Sequence, residues 1–273
     1  MKLSHRLSSA LLGAVCLLAA FGASAQEAAP PAAPPSQLPV VLLPETPQLE
    51  PKAMAILKAM SDRLTAARAM TFTAVTTYES PARTGQPLAY MTLSEVAMQR
   101  PDKLRVITPA DGPRTEFYYD GKTMMAYSPE HNYVAVAPAP ATIDATLEVA
   151  YSKAAIYFPF NDVISADPYK DITDGLKLAF YVGQSRVVGG TLTDILAVAN
   201  DTVQAEFWIG AEDKLPRLAR ATFFNEPGNF RHVVELSNWH LDPVLPADTF
   251  TSAAAAKAIK IDFASPDEKL PQP

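Results

Sequence analysis

Two short turns set close together constrain this chain most. Arg100-Pro101-Asp102-Lys103 joins a strand-like run over 88–99 to a second over 104–108, and Asp120-Gly121-Lys122-Thr123 follows soon after. Proline presets φ for the second position of a type I turn, and Asp102 suits the third. Asp-Gly supplies the positive φ values of a tight hairpin. Together they predict an antiparallel meander of long strands with no helix between them. That pattern excludes the alternating α/β folds that host most nucleotide enzymes.

The strand signal continues on both sides. Runs at 71–79, 115–119, 124–127 and 133–137 surround the two turns, and runs at 176–182, 186–188, 192–199, 203–209, 217–224 and 230–239 follow. Asn200-Asp201, 211–214 and Glu226-Pro227-Gly228-Asn229 supply the turns between the later runs. Two segments read differently. After Pro51, residues Ala53, Ile56, Leu57, Met60, Leu64 and Ala67 recur at helical spacing. A second helix is predicted over 142–157, with Thr142 as its N-cap and Ile143, Leu147, Ala150, Tyr151 and Ala154 on one face. The expectation is a mainly β, α+β fold: about a dozen antiparallel strands in one curved sheet, covered by two amphipathic helices. Two short helices over so wide a sheet leave an apolar gap, and such a gap is a ligand site.

The first 25 residues have the layout of an export signal. Lys2, His5 and Arg6 precede an apolar stretch over 10–21, and Ala23-Ser24-Ala25 is an A-x-A cleavage site. The expected organisation is therefore a signal peptide over 1–25, a Pro/Ala-rich disordered linker over 26–49, one domain over 50–262 and a polar tail over 263–273. Cys16, the only cysteine, lies within the apolar stretch, so a chain cleaved after Ala25 has no thiol for disulfides, nucleophilic catalysis or metal binding. Loss of Lys2 and Arg6 leaves 21 Lys+Arg against 29 Asp+Glu, a charge of −8. An acidic chain with dispersed lysines offers no footprint for nucleic acid.

No residue pattern assembles chemistry. Gly183-Gln184-Ser185-Arg186-Val187 lacks the second glycine of a nucleophile elbow, and no phosphate-binding loop is present. Asp171/Asp174 and Glu212/Asp213 are paired carboxylates in polar loops. His232 and His240 share strand parity, yet eight residues of continuous strand would separate them by roughly 26 Å, and His131 sits in a turn. The reading is a non-enzymatic protein without cofactor or metal.

Three stretches in order carry a family resemblance. They are Arg100-Pro101 with Leu104-Arg105, then Asp120-Gly121-Lys122-Thr123 leading to Tyr127-Ser128-Pro129, then Tyr133-Val134-Ala135-Val136. This order resembles the periplasmic lipoprotein carrier LolA and its relatives. With Tyr181-Val182-Gly183, Phe207-Trp208-Ile209 and Leu215-Pro216-Arg217 added, the layout is closer still to a predicted periplasmic family catalogued as domain of unknown function 2092. The resemblance spans roughly residues 50 to 260. It implies an unclosed antiparallel half-barrel with a helical lid over a hydrophobic cavity that holds acyl chains. The carriers end in an F-x-F-x-P-P-x-G run where this chain has Phe250-Thr251-Ser252-Ala253, so the inference is a lipid or other amphiphile rather than a lipoprotein.

On that resemblance, Arg100 stands at the cavity rim and contacts the lid, since a guanidinium can bridge several backbone carbonyls and release them when ligand enters. Met91, Leu93, Phe117, Tyr119, Met125 and Tyr127 are the candidate ligand-binding side chains of the concave face, because Met and Tyr adapt to varied apolar tails. The partner is then a hydrophobic ligand such as a lipid or acyl chain, met in the periplasm after signal cleavage, with no membrane span remaining. The alternative is an envelope-stress sensor or scaffold, like the LolA-related domain of a periplasmic stress regulator, using the same fold to bind a protein partner.

Overall fold

A computed structural model describes residues 43–109, 113–224 and 228–264. The expected signal peptide, most of the expected linker, the start of the Glu226-Pro227-Gly228-Asn229 turn and most of the tail lie outside these residues.

The meander forms as its turns dictate. Thirteen strands make a single sheet that does not close, in the order β1-β8-β9-β10-β11-β12-β2-β3-β4-β5-β6-β7-β13. The long hairpin β2 (Ala69–Pro81) and β3 (Pro87–Gln99) pairs without interruption along its whole length. It is followed by β4 (Lys103–Thr108), β5 (Thr115–Tyr119), β6 (Thr123–Ser128) and β7 (Tyr133–Pro138). The second half holds β8 (Leu178–Ser185), β9 (Thr193–Ala199), β10 (Val203–Gly210), β11 (Pro216–Phe223) and β12 (Arg231–Leu241). Here β12 returns to pair with β2 and joins the halves.

Both sheet edges are capped by very short parallel strands, which limits the unpaired backbone that an edge would expose. β1 (Gln48–Leu49) lies on β8, and β13 (Ile259–Ile261) lies on β7. Folded structure thus reaches into the segment assigned to the linker. Residues 186–188, expected as a strand, do not form one: β8 ends at Ser185 and 187–190 form a turn.

Four helices occur among the described residues rather than the expected two. α1 (Pro51–Ala66) buries Ala53, Leu57, Met60 and Leu64, the spacing that its sequence predicts. It lies on β8 and β9 and against α3 (Asn161–Ile164) and α4 (Pro168–Thr173). α2 (Ile143–Ala154) starts at Thr142, whose hydroxyl accepts the Ala145 N–H at 3.3 Å. It ends at Ala155, which adopts a left-handed conformation (φ 51°) and returns its N–H to the last turn.

The helices bury one face of the sheet. Met70, Phe72 and Ala74 of β2, Val96 and Met98 of β3, Leu104 and Val106 of β4, Phe117 and Tyr119 of β5 and Met124 of β6 join the buried helix residues in one core. Leu196 and Val198 of β9 and Val234 and Leu236 of β12 extend it across the other half. On the outer face, a smaller cluster packs Tyr127 and Val134 under Ala255 and Ala258, with Met125 alongside.

Strand register fixes which residues share the covered face. The Arg100–Asp102 loop sets Gln99 opposite Lys103, so even-numbered residues stay on the covered face from β3 to β4. Leu104 then faces Tyr119, and Tyr119 faces Met124, so the covered positions become odd in β5 and even again in β6. Phe117→Ala therefore removes a core ring and is expected to cost about 3–5 kcal/mol in urea denaturation. Met91→Ala on the outer face should move stability by no more than about 0.5 kcal/mol. Equal losses would overturn the face assignment.

Candidate functional site

The two turns that dominate the sequence meet at one end of the sheet. Gly121 adopts φ 94°, and a Cβ there would stand 2.6 Å from Asp102 Oδ2, so only glycine fits the contact. Lys103 Nζ donates to the Asp120 carbonyl at 3.0 Å. The Arg100-Pro101 peptide is cis, and Gln99 pairs with Lys103 across a three-residue loop, which replaces the type I turn expected there.

This loop holds the helical cover. The Pro101 carbonyl accepts the Ile143 N–H that opens α2, at 3.0 Å. Tyr119 Oη donates to the Pro140 carbonyl at 2.5 Å, and Thr146 Oγ1 donates to the same oxygen at 3.3 Å. Tyr119 is fully buried, and that burial pushes its phenol above the ordinary tyrosine range. On the far side of α2, Asp144 Oδ2 accepts the Ala166 N–H at 3.1 Å. Ser61 Oγ of α1 accepts the Tyr169 N–H of α4 at 3.0 Å.

Arg100 reaches α3. Its Nη1 donates to the Ile164 carbonyl at 3.2 Å, while Nε and Nη2 are shut off from solvent and have no hydrogen-bond partner among the described residues. Burial lowers the pKa of this guanidinium, and attraction to Asp144 works against the shift. Asn161 Oδ1 and Ser165 Oγ, at either end of α3, are also buried and unpartnered.

Between α2 and α3 the chain drives two rings under the cover. Phe160 stands edge-on to Phe72 with centroids 5.6 Å apart, and Phe72 stacks on Trp239 at 4.5 Å. Phe158 stacks on Phe160 at 5.6 Å and meets Phe117 edge-on at 5.4 Å. The five rings form an unbroken row from β12 across β2 to β5. Phe160 is 1% exposed, so the space that the sequence left open beneath the helices is filled by side chains. Two shallow grooves lie elsewhere. One of about 350 Å³ runs between β1 and β8, and one of about 250 Å³ lies on the outer face beside Arg105, Asn238 and His240.

The six proposed lining residues divide between the faces. Phe117 and Tyr119 lie in the core beneath the helices. Met91 and Leu93 lie on the opposite face from Val96 and Met98, and Met91 is 53% exposed. Met125 and Tyr127 also turn outward, onto Ala255 and Ala258. The cause is the parity change at the β4–β5 and β5–β6 turns, which a uniform odd-residue assignment ignores. Phe158, Phe160, Phe72 and Trp239 were missed. The Phe158-Pro159-Phe160 spacing is the one sequence signal that marks them.

The histidines also separate by face. β12 bulges between Ser237 and His240, so His232 opposite Tyr78 and His240 opposite Thr71 no longer share a face. His131 Nδ1 lies 3.0 Å from Ser128 Oγ in its turn. Among the described residues no cluster of His, Cys, Asp and Glu has the form of a metal site, and no helix is long and apolar enough to cross a membrane.

Residues 53–264 match the family described as "Predicted periplasmic protein (DUF2092)", and the chain belongs to that family of the periplasm. A comparison with curated protein sequences finds no match. Among solved structures, the chain is similar to LprF from Mycobacterium bovis, at 15% identity over 72% of this chain and 97% of that one, with a TM-score of 0.45. A LolA superfamily protein from Nitrosomonas europaea is similar at 10% identity over 73% and 97%, with a TM-score of 0.36. The MucA/MucB complex of Pseudomonas aeruginosa matches at 16% identity over 77% of this chain, with a TM-score of 0.41, and the chain spans 64% of the matched chain's length.

Arg100 bears on the cover far more than on the core. Arg100→Met removes the bond to Ile164 and also removes a buried, unpaired charge, so global stability is expected to change by less than about 1 kcal/mol. Amide hydrogen exchange over 161–166 should accelerate by at least about tenfold. Unchanged exchange in that segment would show that Arg100 does not fasten it.

Proposed function

We propose that this protein is a non-enzymatic periplasmic binding protein that holds the apolar chain of a lipid or other amphiphile between its sheet and its helical cover. The observation that carries the reading is the ring row. Phe158 and Phe160 sit on a short connecting segment, yet they occupy the centre of the covered face against Phe72 and Phe117. Removing these two rings would uncover a trough of Phe72, Phe117, Val96, Val106 and Trp239, which matches an acyl chain in chemistry and offers it no hydrogen bonds to lose.

Displacement of this segment takes Phe160 and Ile164 out of the core, and an entering apolar chain offsets that loss. The segment's fastening to the sheet at Arg100 is one hydrogen bond at 3.2 Å from a guanidinium with two further donors unused. An entering chain replaces the aromatic contacts as it breaks them, so the net change in buried apolar area is small. Phe158 and Phe160 then act as an internal stand-in for the ligand, keeping the face dry between loads.

The rival reading, a sensor or scaffold for a protein partner, has one observation in its favour. The free end of the β2–β3 hairpin exposes Leu88 and Tyr90 on one face and Met91 on the other. A stable partner that co-purifies with the wild type and is lost on replacing these three residues by serine would favour it.

Native mass spectrometry of the domain, purified from the periplasm without detergent, tests the binding reading. An acyl lipid released on denaturation is expected. In a Trp208→Phe variant, which leaves Trp239 as the sole indole of the domain, lipid loading should shift the emission as Phe160 leaves Phe72. A ligand-free mass together with unchanged emission after incubation with envelope lipids would overturn the reading.

A further inference from the structure

Arg100 carries more hydrogen-bonding capacity than its fold uses, and the unused part has a definite shape. Nε–H and one N–H of Nη2 run parallel along a single edge of the guanidinium. That edge takes both oxygens of a carboxylate or phosphate at once. Here it is this whole edge that is buried and without a partner among the described residues, while Nη1, in the same plane but off that edge, is the atom that holds α3. The division is informative: fastening the cover consumes none of the bidentate edge.

The surroundings repeat the pattern. Ser165, 9% exposed, follows the residue that Arg100 binds, and its hydroxyl is a buried donor without an acceptor. Asn161 Oδ1, one turn earlier, is also unpartnered, and its amide turned over would present Nδ2 as a donor. Asp144 is the carboxylate that acts on Arg100, but it makes no ion pair with it within 4.0 Å and binds the Ala166 N–H instead. A buried cation with an idle bidentate edge and a neighbouring idle hydroxyl is costly for a fold to keep without an anion to receive.

We propose that the ligand is an anionic amphiphile, whose carboxylate or phosphate head is taken by the Nε and Nη2 edge of Arg100 and by Ser165 Oγ while its tail replaces Phe158 and Phe160. This rests on the binding reading above and specifies it. Arg100 is adjacent in structure to the α3 end of the segment that carries those rings, so a head bound there leaves its tail at the mouth of the trough. Neutral and cationic amphiphiles of the same length lack the partner for the fork. They leave the same donors unsatisfied that the empty protein leaves.

The test uses four probes with one tail, namely palmitate, hexadecyl phosphate, hexadecanol and hexadecylamine, titrated below their aggregation concentrations into the wild type, Arg100→Lys, Arg100→Gln and Ser165→Ala. Palmitate and hexadecyl phosphate are expected to bind at least about tenfold tighter than hexadecanol, the value of one or two charge-assisted hydrogen bonds. Arg100→Lys keeps the charge and a donor for Ile164 but loses the fork. It should erase most of the anion preference, read as the ratio of palmitate to hexadecanol affinity within each variant. Ser165→Ala should weaken both palmitate and hexadecyl phosphate severalfold more than it weakens hexadecanol. Equal affinity of all four probes for the wild type would overturn the head assignment and leave the binding reading standing. So would an anion preference that survives in both Arg100→Lys and Arg100→Gln. Inorganic phosphate binding as tightly as hexadecyl phosphate would separate the anion from the tail and overturn the proposal too. Failure of every tailed probe would overturn the binding reading itself.

Discussion

A sheet that does not close upon itself has to bury one face under something that is not sheet, and this requirement shapes the whole molecule. A closed barrel pairs its own edges and fills its own interior. Here the edges fall to β1 and β13, two and three residues long, and the apolar face falls to four helices and a connecting loop. Of these, α1 makes the broad contacts with the sheet, on β8 and β9. The remaining cover is held by its own packing, by inserted rings and by a few polar bonds at one turn. The covered face is thereby buried as a core must be, by elements that could leave it without breaking a strand ladder.

Arg100 shows which purpose dominates at that turn. A buried guanidinium incurs a desolvation penalty that one backbone hydrogen bond does not offset, and apolar replacements of buried charges are often neutral or stabilising. The lowered pKa of Arg100, caused first by burial, is the same imbalance seen from the proton's side. Stability alone would favour a leucine or methionine at this position. Local unfavourable chemistry of this kind is the form that functional sites take in otherwise consistent folds.

What the sequence disclosed follows from length and period. The meander, α1 and α2 were legible because each repeats its period for several turns or residues, and Thr142 marks its helix start by an ordinary cap. β1, β13 and α4 were not, being too short to show any period. The faces of the strands failed for a different reason. Facing is inherited through turns, and the β4–β5 and β5–β6 connections each reverse the parity that the Arg100 loop preserves. Phe117 and Tyr119 therefore lie on the covered face, while Met91, Leu93, Met125 and Tyr127 lie on the other. The bulge in β12 divides His232 from His240 by the same mechanism. Arg100 itself stood out only through a family resemblance, since no rule of local sequence says which edge of a guanidinium a fold will leave idle.

The position of the fastenings decides how such a cover can open. Pro101 O to Ile143 N, and Tyr119 Oη to Pro140 O, hold the start of α2 at the turn end of the sheet, and neither bond involves Arg100's side chain. Arg100 Nη1 holds only the end of α3. Releasing Arg100 therefore leaves α2 docked through Pro101 and Pro140. It loosens the α3 end of the stretch that begins at Ala155, whose left-handed backbone already turns the chain out of α2, while Asp144 still holds Ala166. Phe158 and Phe160 lie on that stretch, between a fixed helix and the bonds at Ile164 and Ala166. An anion that draws the guanidinium toward its idle edge competes with Ile164 for the same side chain, and the segment it loosens is the one that carries the rings.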